Sequence, residues 1–271
     1  MKNFRVGCLQ IASGPNVEAN LNQIAKFIDS AKKQGADLII LPENFAMMAE
    51  KDFLYLDIQE NLGKGRIQDF VSKQAKKNEV WIVAGTIPIK SDNEEKVFST
   101  CIVYNDKGEM ISTYSKMHLF DVNLPDTNEE YRESDIYLNG KEVVVVETPF
   151  CKIGLSICYD LRFPELFRKL SEKGAELICL PAAFTSFTGK AHWEHLVKAR
   201  AIENLVYFAA SAQGGYHVSG RETYGNSTIV SPWGETLGIL KNKSGVVVKD
   251  INLDSLNKLR SNFPCLDHRI I

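Results

Sequence analysis

Gly35-Ala36-Asp37-Leu38-Ile39-Ile40-Leu41-Pro42 is written a second time, 139 residues later, as Gly174-Ala175-Glu176-Leu177-Ile178-Cys179-Leu180-Pro181. Each copy is a glycine, an alanine and a carboxylate, then a short apolar run closed by proline. A run of that length, bounded by Gly and Pro, is the pattern of a strand buried on both faces. Each copy follows a helical segment. That helix is visible in both copies. Ile24, Phe27, Ile28 and Ala31 recur at helical spacing before the first, and Leu166, Phe167 and Leu170 before the second.

The duplication extends in both directions. Upstream lie strand-like segments around Val6-Gly7 and Ile153-Gly154. Downstream, Val80-Trp81-Ile82-Val83-Ala84 aligns with Leu205-Val206-Tyr207-Phe208-Ala209. Ser99-Thr100-Cys101-Ile102-Val103 before Gly108-Glu109 parallels Ser227-Thr228-Ile229-Val230 before Gly234-Glu235. A strand–helix–strand–helix–strand–strand unit therefore occurs twice. Each half offers an apolar sheet face and helices to cover it, which predicts an α/β fold of packed layers. No Ser/Gly/Pro-rich linker separates the halves, and the polar, turn-rich stretch 123–140 is explained by a loop. One domain over residues 1–271 is the expectation.

With 44% hydrophobic residues, the 271-residue chain can bury a substantial core. A formal charge of −2 gives no reason to expect nucleic acid or an anionic membrane as partner. No apolar run approaches the roughly 18 residues of a membrane span, and Met1-Lys2-Asn3-Phe4-Arg5 enters a strand without a signal-peptide stretch. The six cysteines, Cys8, Cys101, Cys151, Cys158, Cys179 and Cys265, show no CxxC spacing. They fit the reduced thiols of a cytoplasmic protein.

Three strand ends carry reactive groups. Leu38-Ile39-Ile40-Leu41-Pro42 runs into Glu43. The segment around Ile111 runs into Lys116, in Tyr114-Ser115-Lys116-Met117-His118. Ile153-Gly154-Leu155-Ser156-Ile157 runs into Cys158, and Tyr159-Asp160-Leu161-Arg162-Phe163-Pro164 opens a helix. A thiol at such a sharp strand-to-helix turn projects outward, and backbone N–H groups at the helix start face whatever the sulfur attacks. That setting is expected to favour thiolate. Singly, each charge is an ordinary solvated strand end and the cysteine an ordinary buried thiol. Together they supply a base, a cation and a nucleophile.

With Glu, Lys and Cys in that order, the chain resembles the nitrilase superfamily of carbon–nitrogen hydrolases. The resemblance runs from Phe4-Arg5-Val6 to Pro264-Cys265-Leu266-Asp267-His268-Arg269. It implies a four-layer α-β-β-α sandwich with an internal pseudo-two-fold repeat, and a triad of Glu43, Lys116 and Cys158. Cys158 would attack an amide carbonyl to give a thioester, Glu43 would carry protons, and Lys116 with the backbone N–H of Tyr159 would stabilise the oxyanion. Relatives use a second glutamate between lysine and cysteine. Its best match is Glu133, with Glu129 and Glu130 close by.

The segments Pro181-Ala182-Ala183-Phe184, Gln213-Gly214-Gly215-Tyr216-His217 and Arg221-Glu222-Thr223-Tyr224-Gly225 resemble the amidase branch acting on amides of 2-oxo acids. Deaminated glutathione is the implied substrate, 2-oxoglutaramate the alternative, and carbamoyl amides a third, less supported choice. Arg162, Phe184, Arg221 and Tyr224 are the candidate substrate contacts. Asn226 stands where such relatives commonly carry histidine. His192 and His195 share a helix face, but no carboxylate or cysteine has ligand spacing to them, so no metal is expected. His118 is expected to be a hydrogen-bonded structural histidine. Nothing calls for a nucleotide or organic cofactor. The expected partners are a small-molecule amide and further copies of this chain, as a homodimer or larger assembly. An inactive scaffold with a redox-sensing thiol is the reading from another class, and the complete set of four residues argues against it.

Overall fold

In the computed structural model, which describes residues 3–125, 129–241 and 243–270, the first repeat builds β1 (Asn3–Gln10), α1 (Val17–Lys33), β2 (Leu38–Ile40), α2 (Arg66–Asn78), β3 (Trp81–Val83), β4 (Ile87–Lys90), β5 (Val97–Tyr104) and β6 (Met110–Ser115). A short antiparallel pair, β7 (Asp121–Asn123) and β8 (Glu130–Arg132), follows. The second repeat builds β9 (Val145–Glu147), β10 (Lys152–Leu155), α3 (Pro164–Glu172), β11 (Leu177–Ala182), α4 (Ser186–Thr188), α5 (Glu194–Asn204) and β12 (Tyr207–Ala212). A hairpin of β13 (Gly214–Tyr216) and β14 (Glu222–Tyr224) precedes β15 (Ser227–Val230) and β16 (Thr236–Leu240). Then come β17 (Gly245–Asn252) and α6 (Leu253–Asn262). Asp126, Thr127 and Asn128, inside the predicted loop over 123–140, lie outside the described residues, as do Met1 and Lys2 of the predicted approach to β1.

The two sheets share one topology. The first runs β17-β1-β2-β3-β5-β6, with β4 beside β3 on the same edge of β5, and the second runs β9-β10-β11-β12-β15-β16. In each, three strands are parallel, β1-β2-β3 and β10-β11-β12, and their flanks are antiparallel. The register repeats as well: Leu38 pairs with Trp81 as Leu177 pairs with Tyr207. This sets Trp81 against Tyr207, one position away from the sequence alignment. Glu79 and Leu205 both cap their helices in the left-handed region, at φ 48° and 45°. Leu205 is therefore the counterpart of Glu79 and ends a helix.

Side-chain alternation along the strands sorts the layers. Val6, Cys8, Leu38, Ile40, Trp81 and Val83 face the second sheet, while Leu9, Ile39, Leu41 and Ile82 face α1 and α2. Helix α1 starts where Asn16 accepts the Ala19 N–H at 2.9 Å, and it buries Leu21, Ile24, Ile28 and Ala31. On the far side, Leu166, Phe167 and Leu170 of α3, with Trp193, Val197 and Ala201, cover the second sheet. The result is the four-layer α-β-β-α sandwich. Each fully buried Leu or Ile contributes about 1.5–3 kcal/mol. Ile202, one residue beyond the buried Ala201 and so further round the helix, is 48% exposed. Among the described residues no helix is long and apolar enough to cross a membrane.

Candidate active site

Glu43 follows β2, Lys116 follows β6 directly, and Cys158 follows β10 after two residues. The three strand ends converge. Lys116 Nζ donates to Glu43 Oε1 at 2.9 Å and to Glu133 Oε1 at 2.7 Å. The second Glu133 oxygen accepts the Phe120 backbone N–H at 2.7 Å. Glu129 and Glu130 point elsewhere, Glu129 to the Tyr131 hydroxyl and Glu130 to Arg132. The second carboxylate on the lysine is therefore Glu133. The side chains of Lys116 and Glu43 are only 1% and 4% exposed. Burial works against the Lys116 ammonium, but Glu133 and Glu43 outweigh it and hold its pKa well above the ordinary value. Burial likewise pushes the Glu133 carboxyl up, with Lys116 opposing.

Cys158 opens a single 3-10 turn, Cys158–Arg162, ahead of α3. Its φ of 46° is the left-handed conformation that aims a side chain outward from a sharp turn, and such strain persists only where the surroundings enforce it. Asn44, beside Glu43, adopts φ 54°. The Ala183 backbone N–H donates to Cys158 Sγ at 3.5 Å. The Tyr159 N–H, at the open end of the turn, has no partner inside it. Burial pushes the Cys158 thiol well above its ordinary pKa, Glu43 adds to this, and Lys116 opposes it only in part. That direction runs against the thiolate expected from the turn alone. One 3-10 turn supplies little of a long helix's dipole to offset that burial.

These groups face a cavity of about 630 Å³, counting the solvent at its mouth. Its walls include Asp52, Tyr55, Tyr131, Tyr137, Tyr159 and Phe184. Arg162 and Arg221 both reach it. Arg162 Nη1 meets His192 Nδ1 at 3.2 Å, and its guanidinium lies 5.3 Å from the Phe184 ring. Arg221 sits over the Tyr131 ring at 5.0 Å. Tyr224 does not line this cavity. Its ring packs on Gly189 and borders a separate depression with Ser186 and Lys190, because its own N–H is tied to Phe184 O at 2.9 Å. A buried proton carrier, a thiol in reach of it, an ammonium and inward-facing arginines can together perform acyl transfer on an anionic substrate.

Comparison with known proteins decides the family. The sequence profile of the carbon–nitrogen hydrolases matches residues 5–261. The chain belongs to the carbon–nitrogen hydrolase family. This hydrolase is 41% identical to a deaminated glutathione amidase of Synechocystis sp. over 100% of its own length and 99% of the relative's. It is 35% identical to omega-amidase NIT2 of Xenopus tropicalis, covering 97% and 94% of the two chains. The crystal structure of Saccharomyces cerevisiae Nit3, of the nitrilase superfamily, superposes with a TM-score of 0.88 at 28% identity, over 97% and 95%. The protein is thus a nitrilase-superfamily amidase, a hydrolase of carbon–nitrogen bonds other than peptide bonds.

Two further residues hold the hydrolase's site together, and sequence reasoning had not singled them out. Asp160, fully buried, accepts the Tyr114 hydroxyl at 2.6 Å and the Ile157 N–H at 2.9 Å. It also meets the backbone N–H of His118 at 3.1 Å and the His118 ring Nδ1 at 2.7 Å. One carboxylate thus ties the Lys116 segment to the Cys158 turn. His118, stacked on Phe163 at 3.7 Å, is the hydrogen-bonded structural histidine that was expected. Gln213 bridges Ser13 and the Glu43 carbonyl, donating to the latter at 2.9 Å. The signal for Asp160 was present: a carboxylate two residues after the cysteine in an otherwise apolar turn. Gln213 gave none, because its partners are 200 and 170 residues away.

Proposed function

We propose that this amidase hydrolyses deaminated glutathione to 2-oxoglutarate and cysteinylglycine, through a thioester on Cys158. The observation that carries it is the Glu43–Lys116–Glu133 pairing beside the Cys158 thiol. Cys158 attacks the amide carbon as its proton passes to Glu43. Lys116 and the Tyr159 N–H receive the developing oxyanion. Glu43 then protonates the leaving amine and draws a proton from the water that cleaves the thioester. Glu133 holds Lys116 in place throughout. The similarity to a deaminated glutathione amidase at 41% identity over the whole chain supports this substrate above 2-oxoglutaramate, to which the omega-amidase relative points at 35%. Purified protein is expected to show a kcat/KM at least 10-fold higher on deaminated glutathione, read as 2-oxoglutarate released. The reverse preference moves the substrate assignment to the omega-amidases.

A single domain in the cytoplasm, working as a homodimer or larger assembly, completes the reading. Five of the six cysteines are free and buried, which suits a reducing compartment. Ile202, Trp233 and Phe263 form one exposed apolar patch, the two aromatic rings 5.7 Å apart. Sedimentation velocity should show more than one protomer, and Trp233→Glu should shift the distribution toward monomer. A wild-type protein that sediments as monomer at micromolar concentration contradicts this.

A further inference from the structure

Arg221 is held in an arrangement that its own chain does not complete. The hairpin β13–β14 presents it, and the buried His217 clamps that hairpin, its ring nitrogens meeting Ser13 O at 2.9 Å and Thr223 Oγ1 at 2.8 Å. The hairpin is also bridged to the cavity wall, Thr223 pairing with Thr185. One guanidinium nitrogen, Nη2, donates to the Ala183 carbonyl. The same residue's N–H donates to Cys158 Sγ, so a single residue links the guanidinium to the sulfur. Arg221 Nε is sealed from solvent, yet no acceptor among the described residues meets its hydrogen. Asp52 lines the same cavity but forms no ion pair with it. Natural proteins seldom leave a buried charged donor unmet, and a guanidinium that lines a cavity with one donor unmet marks the place of a ligand acceptor.

We propose that Arg221 is the specificity residue for the acyl half of the substrate, binding the carboxylate beside the 2-oxo group of the segment that becomes attached to Cys158. This rests on the amidase reading above. The acyl half stays in the closed site until water releases it, and the leaving dipeptide must exit first. Arg221, tied through Ala183 to the sulfur, therefore serves the part that stays. Arg162, turned toward His192, is left for the rest of the substrate. A planar fork suits a carboxylate, so Arg221→Lys is a partial replacement only.

The test compares wild type and Arg221→Met on three amides. One is deaminated glutathione, one its levulinoyl analogue with methyl in place of the acyl carboxylate, and one its glycinamide analogue without the glycine carboxylate. The wild-type preference for deaminated glutathione over the levulinoyl amide is expected to fall by roughly 10²-fold in Arg221→Met. The preference over the glycinamide is expected to hold within about 3-fold, and Arg221→Lys to lie between the two. A loss confined to the glycinamide comparison, or equal in all three, overturns the proposal.

A second readout needs no turnover. Cys158 is alkylated with iodoacetate or iodoacetamide, forming an S–CH₂ bond as iodide leaves and the thiol proton passes to Glu43. Arg221→Met is expected to lower the iodoacetate-to-iodoacetamide rate ratio about 10-fold. An unchanged ratio shows that no guanidinium serves anions at the sulfur. If wild type turns over none of the amides while this ratio falls, the substrate reading fails and the anion site stands.

Discussion

Glu43→Gln is expected to lower kcat by about 10³-fold or more, with KM changed little and the fold intact. The substitution keeps the shape of the side chain and an oxygen for Lys116 Nζ, which also retains Glu133 at 2.7 Å. Gln213 still bonds the backbone carbonyl of residue 43, so the loop keeps its anchor. What disappears is the one group that can take the thiol proton. Burial pushes the Cys158 thiol above its ordinary pKa, which disfavours a free thiolate. The proton must leave as the sulfur attacks. General acid–base assistance of this kind supplies about 10²–10⁴, and in the proposed mechanism the same carboxylate serves both acylation and deacylation. Rapid mixing with substrate should show no burst of acyl-enzyme in the variant. A kcat within 10-fold of wild type contradicts this role.

Lys116→Met is the second large effect, and it acts on stability as well as rate. The ammonium is shared by two carboxylates at 2.9 and 2.7 Å, both sheltered from water. Removing it leaves two buried like charges facing one another, a change that costs about 3–5 kcal/mol when one partner of a buried pair is deleted. Losing an oxyanion donor removes a further 10²–10³ in kcat. The sign of the pH effect follows from Glu133, whose carboxyl is already raised by burial despite Lys116. Without the lysine it rises further, and the folded protein favours the protonated form more than the unfolded chain does. That contribution is fully present below the unfolded-state pKa and is lost as pH rises through the folded one. The urea midpoint of Lys116→Met, relative to wild type, should therefore improve when pH is lowered from 7 toward 5. A deficit that is flat or deepens on acidification contradicts the pairing.

The layered fold was legible in the octad pair because strands buried on both faces write themselves as continuous apolar runs. Leu38–Ile40 and Leu177–Ala182 have no exposed face to encode. The exact alignment of Val80 was not, since a left-handed helix end at Leu205 resembles a strand residue in sequence. Glu43, Lys116 and Cys158 were legible only together, as a base, a cation and a thiol at three strand ends in the order Glu, Lys, Cys. The protonation state of Cys158 was hidden, as it depends on burial and on Glu43, which is brought near only by the fold. Tyr224 illustrates the opposite error. It sits three residues from Arg221 in a resembling segment, but the hairpin turns Arg221 into the cavity and Tyr224 onto Gly189. Spacing along a two-stranded hairpin cannot report which residues the loop redirects.

Acyl transfer from an amide to the Cys158 sulfur is the step on which the proposed mechanism turns. Mass spectrometry of the acid-quenched enzyme, milliseconds after mixing with deaminated glutathione, tests it most directly. A 2-oxoglutaryl adduct is expected on the peptide containing Cys158, appearing before free 2-oxoglutarate reaches its steady rate and absent in Cys158→Ala. Turnover of the amide at full rate in Cys158→Ala, or an adduct on any other residue, would contradict it.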